Sequence, residues 1–288
     1  MSSALVNVIV MLGMLVIVPM GLRLIGDPGP VLLRHLWPLL AAPGALALWL
    51  PRGALATALA TTYALATLAL ALHAPARYAR TRSLHPAEIA VLTALVTPAV
   101  AGSALVAERA GHRLFGFDLE ILALTVPHFH YAGFAAALVA GLVCRTADGP
   151  AGRFAALSVP LGTLLVLAGY FVDDWAELVG ALVLTAGMWA VGLLTWRDVR
   201  TSQDGPLTRR LLAVSAAVLV ATMLLALSWA VGEATGLPHP NLSWMAATHG
   251  LGNALGFALC SMLAWRRLTP HMPTPDKPRD AHSEEISA

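Results

Sequence analysis

The sequence predicts an all-α, polytopic transmembrane helix bundle of about nine spans. Three observations carry the prediction. Of its residues 58% are hydrophobic and only 12% are charged, whereas a soluble domain carries about 25% charged residues. Several apolar runs reach the ~20 residues that cross a bilayer core. Those runs are continuous rather than alternating, which argues against a β-barrel.

The runs cover 4–24, 33–50, 54–74, 87–107, 119–144, 154–173, 175–196, 210–231 and 243–265. The first has no basic leader before it, so it reads as a span and not as a cleavable signal. The second is the weakest, because Arg34, His35, Pro38 and Pro43 interrupt it. If it only dips into the interface, eight spans remain. The third stops before Arg77, Arg80 and Arg82, and the fourth before Arg109 and Arg113. The fifth carries Pro127, His128 and His130 in an otherwise apolar run. The sixth and seventh meet at Asp173-Asp174. Arg197, Arg200, Arg209 and Arg210 separate the seventh from the eighth, and residues 233–241 separate the eighth from the ninth. From Thr269 onward Pro, Asp, Glu and Ser dominate without apolar periodicity. Residues 1–268 are therefore read as the bundle and 269–288 as a disordered cytoplasmic tail. The chain has no evident internal repeat, unlike many transporters.

Loop arginines set the orientation. The segments 75–86, 145–153, 197–210 and the tail carry them and are read as cytoplasmic. The linkers around Asp173-Asp174 and 233–241 hold neither Lys nor Arg and are read as external. Nine spans satisfy this alternation with the N-terminus outside and the C-terminus inside, in the cytoplasmic membrane of a bacterium. The 108–118 loop is the exception: it is external by alternation yet mildly basic. A net charge of +2, with arginines in short loops, suits membrane orientation and not a nucleic-acid partner. Cys144 and Cys260 lack a CxxC spacing, which disfavours a disulfide framework or zinc knuckle.

Ionisable residues inside a span are costly and mark functional sites. His128 and His130 lie a depth of roughly 13–17 Å from the outer end of the fifth span, at about 1.5 Å per residue. His249 lies in the outer part of the ninth. Asp173, Asp174 and Glu177 occupy the external turn between spans six and seven, and Glu120 opens the fifth from the same side. The expectation is one polar pocket in the outer half of the bundle. On a regular helix His128 and His130 are about 200° apart. Pro127 removes a backbone donor just before them, and a distorted turn would bring both rings toward one cavity. Tyr131 shares the face of His128. Gly133, Ala136, Ala140 and Gly141 allow another helix to approach closely. His249, Asn253, Gly256 and Cys260 form one stripe, in which Asn253 orients the His249 ring or binds a substrate oxygen. The plainer alternatives are interhelical hydrogen bonds for the histidines and Asn253, and helix caps for the carboxylates. Asp173 or Asp174 paired with Glu177 would crowd two carboxylates and leave one protonated as a donor. Tyr170 lines the pocket or the interface. Trp175, Trp196, Trp229, Trp244 and Trp265 lie near span ends, as interfacial anchors do.

The His128-Phe-His-Tyr-Ala-Gly-Phe134 block and the His249-Gly-Leu-Gly-Asn-Ala-Leu-Gly-Phe257 block together resemble the YndJ-like family of bacterial multi-pass membrane proteins. The likeness covers most of the span region and is specific in these two blocks. It implies a shared site and little about the reaction.

Three functions fit these residues. In the first, an intramembrane enzyme performs acid–base chemistry on a lipophilic small molecule: isomerisation, epoxide opening or cyclisation. His128, His130 and His249 form its acid–base set, with Asp173 or Glu177 as proton donor or orienting group. Tyr131, Asn253, Glu120, Asp174 and Tyr170 bind substrate, and no motif names a cofactor. In the second, His128, His130 and His249 ligate Zn, Cu, Fe or a haem. In the third, the same residues serve a proton-coupled transporter. Membrane lipid surrounds the chain in every case.

Overall fold

The computed structural model describes residues 3–26, 30–203 and 205–268; the tail expected over 269–288 lies outside the described residues. Among the described residues the chain is helical without a strand. In order the helices are α1 (Ala4–Leu22), α2 (Val31–Ala47), α3 (Ala54–Thr81), α4 (Pro86–Arg109), α5 (Leu119–Thr146), α6 (Pro150–Gly169), α7 (Asp174–Val199), α8 (Pro206–Thr235) and α9 (242–268). Seven of these are long and apolar enough to cross a membrane, the exceptions being α2 and α9. At 17 residues, α2 is short of the ~20 that a crossing takes. α9 has the length, but His249, Asn253 and its glycines dilute its apolar character.

α2 remains helical through Pro38 and Pro43 because tertiary contacts hold it. Trp37 is fully buried. Its indole Nε1 donates to the Met14 carbonyl at 2.8 Å, and its ring meets Tyr63 edge-on at 6.0 Å.

Two arginine-bearing segments differ from the sequence reading. α3 continues to Thr81, so Arg77 and Arg80 lie on a helix and not in a loop. The reason is an ion cluster. Arg77 is buried, pairs with Glu88 at 2.8 Å and donates to the Gly26 carbonyl at 2.7 Å. Arg145 reaches the same carboxylate at 2.7 Å, tying α3, α4 and α5 together.

The second segment is the basic 108–118 loop. Glu108 is buried and is held by Arg52 at 2.9 Å and by Arg109. Arg109 also donates to the carbonyls of Ala47 at 3.3 Å and Leu50 at 3.2 Å, closing the C-terminal end of α2, where helical carbonyls lack partners. Arg113 pairs with Asp118 at 2.5 Å. Both Arg109 and Arg113 are thus paired within the segment.

α5 is the most enclosed of the seven long helices. Its small residues explain this: a Cβ on Gly133 would meet Thr97 Cβ at 2.8 Å, and one on Gly141 would meet the Ala87 carbonyl oxygen at 3.0 Å. α6 and α7 form a hairpin in which the backbones touch. A Cβ on Gly180 would lie 2.4 Å from the Val166 nitrogen, and one on Gly169 would lie 2.5 Å from Glu177 Cα. Gly169 thereby sets the position of Glu177.

Several helices widen into π turns: Gly13–Ile17 in α1, Phe129–Ala135 in α5, and Ala246–Gly250 and Gly252–Leu259 in α9, with Thr195–Val199 at the end of α7. A π turn inserts a residue and disturbs the regular backbone ladder, and such turns recur at functional sites. Side chains take up carbonyls in these turns. Trp37 does so at Met14, and Thr163 Oγ1 donates to the Ala132 carbonyl at 3.3 Å. Both sequence blocks singled out above fall on π turns.

Candidate functional site

A cavity of about 230 Å³ opens in one half of the bundle. It is lined by the first halves of α1, α5, α7 and α9 and the last parts of α6 and α8. Successive antiparallel helices bring those ends to one side, the side that the arginine alternation labels external. Leu124, Leu184, Met188, Met223 and Phe257 form much of its apolar wall. His128, Tyr131, His249 and Asn253 supply polar groups, with Tyr170 and Glu177 toward the ends of α6 and α7.

His128 and His130 diverge. The His128 ring lines the cavity, and its Nε2 is buried without a hydrogen-bond partner. His130 is fully buried on the other face of α5. Its Nε2 pairs with the Tyr63 hydroxyl. A Cβ on Gly13 would lie 2.9 Å from its Cβ and Cγ, so α1 packs directly on this ring. The π turn at Phe129–Ala135 does not bring the two rings together: His128 lines the cavity, and His130 packs against Tyr63 and Gly13. Tyr131 lines the cavity and donates its hydroxyl to the Ile9 carbonyl at 2.8 Å.

His249 is committed at both ring nitrogens. Its Nδ1 lies 2.8 Å from the Thr222 carbonyl, which can only accept, so Nδ1 carries the proton. Nε2 then accepts from Asn253 Nδ2 at 3.1 Å. The Thr222 hydroxyl donates to Asn253 Oδ1 at 2.8 Å, closing a three-residue ring between α8 and α9. Gly252 permits it: a Cβ there would meet Thr222 Cγ2 at 2.9 Å. The interhelical hydrogen-bond role therefore describes His249, while Asn253 both orients its ring and faces the cavity. Asn253→Ala or Thr222→Val is expected to lower stability by about 1 kcal/mol. Because the ring is closed, the double variant should lose less than the sum of the two. Unfolding midpoints of both single variants and the double variant in detergent check this; strict additivity would show that the ring is not coupled.

The remaining predicted site residues divide. Glu177 and Tyr170 line the cavity. Asp173 caps α7, accepting from the Ala176 N–H at 2.8 Å, and is exposed. Asp174 and Glu120 are exposed in the first turns of α7 and α5, away from the lining. First-turn carboxylates favour the positive end of the helix dipole, which accounts for all three positions. Among the described residues no three His, Cys, Asp or Glu side chains come together as metal ligands. The set His128, His130 and His249 fails because His130 faces Tyr63 and both His249 nitrogens are engaged.

Other residues of the site carried no signal in the sequence reading. Thr222 is one hydroxyl in a long apolar run. Trp229, read as an interfacial anchor, lines the cavity, and its ring lies 4.9 Å from that of His239. His239 pairs with Glu233 at 3.0 Å. Trp265 is buried as well, whereas Trp175, Trp196 and Trp244 are exposed at helix ends, as anchors should be. Tyr63, the partner of His130, lies two helices away in the chain.

The model of a family described as YndJ-like protein matches residues 8–257, a range that contains both histidine blocks. The chain is also similar to the uncharacterized membrane protein YndJ of Bacillus subtilis (strain 168), with 25% identity over 198 residues. That alignment covers 68% of this chain but only 36% of the relative. No solved structure matches the chain.

Proposed function

This chain belongs to the YndJ-like family, and from that premise we propose that it is an intramembrane enzyme performing acid–base chemistry on a lipophilic small molecule. The carrying observation is His128, a residue of the cavity wall whose imidazole Nε2 is buried without a partner. An uncommitted buried base is costly to keep and is available to take a proton from a bound ligand. Glu177, farther toward the helix ends, orients the bound molecule. Asn253 holds a substrate oxygen through its second Nδ2 hydrogen. Tyr131, whose own proton goes to the Ile9 carbonyl, accepts from a substrate hydroxyl, and the aliphatic wall shields a cationic intermediate from water. Isomerisation, epoxide opening and cyclisation all fit, since in each the His128 imidazole can take a proton at one atom and return it at another. The cytoplasmic membrane of a bacterium, with the cavity opening outward, completes the proposal.

The test incubates purified full-length chain in detergent with a panel of lipophilic epoxides and alkenes. Mass spectrometry then follows products of unchanged mass or of one added water. Turnover that depends on His128 supports the proposal; a panel that binds without conversion overturns it. One observation favours a second reading, a binding or transport protein: saturation of His249 leaves His128 as the one histidine of the cavity with an open nitrogen. Flux of an unaltered probe into proteoliposomes would establish that reading.

A further inference from the structure

We infer that the cavity selects a lipophile with a cationic head, a long-chain amine or quaternary ammonium, held at its mouth by Glu177 and Glu233 between Tyr170 and Trp229. The inference rests on the cavity being the ligand site.

The sign of the charge at the mouth is the first argument. Among the described residues, Glu88, Glu108, Asp118, Asp148 and Asp198 each have an arginine partner. Glu120, Asp173, Asp174, Glu177 and Glu233 have none; they lie at the ends of α5, α7 and α8 on the same side of the bundle, and Glu177 among them lines the cavity. The segments 119–131, 170–180 and 226–245 contain no Lys or Arg. His239 is paired with Glu233 and is charged only when protonated, and Arg113, in the loop whose Phe117 packs on Tyr170, is paired with Asp118. Glu177 lies in the field of both Asp174 and Glu233. It is half-buried in the cavity wall, accepts from the neutral Tyr170 hydroxyl, and among the described residues has no ion-pair partner. A carboxylate so placed gains most from a ligand that brings the positive charge.

The aromatic rim is the second argument. Trp229 and Tyr170 line the same end as Glu177. Aromatic faces beside carboxylates attract ammonium groups, Trp most strongly. His239 meets Trp229 in a T-shaped contact with an interplanar angle of 87°.

The deep end supplies the third. Beyond the mouth the wall is aliphatic down to the buried, unpartnered Nε2 of His128. An apolar tail suits that passage, and an anionic head would meet several carboxylates at the mouth. The geometry thus assigns the head to the mouth and the tail to the interior.

The experiment compares decyltrimethylammonium, decan-1-ol and decanoate as ligands of the full chain in maltoside detergent, read by tryptophan quenching and competition. The expected result is a preference of about tenfold or more for the ammonium over both others, with each tenfold equal to about 1.4 kcal/mol. Glu177→Gln and Glu233→Gln should each reduce that preference while decan-1-ol affinity holds. Trp229→Leu provides an independent variant with the carboxylates intact and should also weaken ammonium binding. Equal affinity for ammonium and alcohol overturns the cationic head but leaves the lipophile reading standing. A preference unchanged in all three variants also overturns it. Failure of every probe to bind overturns both readings together.

Discussion

His128→Ala is expected to reduce turnover by a factor of about 10²–10⁴, the usual contribution of a positioned general base, while lipophile binding changes little. The cavity that the variant leaves is the size of an imidazole ring, so added imidazole should restore part of the rate. His130→Ala is the contrasting variant. It leaves the Tyr63 hydroxyl buried without its ring partner, which costs about 1–3 kcal/mol. Turnover per folded molecule should nevertheless be preserved, because His130 does not line the cavity. Rates normalised to the folded fraction distinguish the two. Loss of turnover in His130→Ala with full activity in His128→Ala would reverse the assignment.

The second large effect falls outside the cavity. Glu108→Ala is expected to destabilise the bundle by about 3–5 kcal/mol, since removing one partner of a buried ion cluster strands the other. The stranded group is Arg109, whose side chain is only 12% exposed and whose other hydrogen bonds hold the end of α2. Glu120→Ala, at an exposed first-turn carboxylate, should change stability by at most about 0.5 kcal/mol. Denaturant titration in mixed micelles measures both. Similar losses in the two variants would show that the Glu108 cluster contributes no more than a surface charge.

The sequence by itself determined that the chain is a helical membrane protein, where its helices lie, and that polar residues from α5, α6, α7 and α9 gather at one end. Each follows from local quantities: apolar run length, residue spacing, and the alternation that antiparallel connections impose. It also showed that a regular helix turns His128 and His130 toward different neighbours, but the expectation that a distorted turn brings both rings to one cavity failed, because His130 stays on Tyr63 across the π turn. Only the tertiary structure decided which of the two faces the cavity, since that depends on the rotation of α5 against its neighbours. The same holds for His249. Its spacing to Asn253 is visible in the chain, but its saturation requires the Thr222 carbonyl and hydroxyl on α8, and one threonine in an apolar run carries no mark of that role. Glu177 remained at the cavity while Asp173 and Asp174 became a cap and an exposed carboxylate. The backbone contact at Gly169 fixes the turn of α7 that points inward, and no property of the carboxylates themselves distinguishes the three.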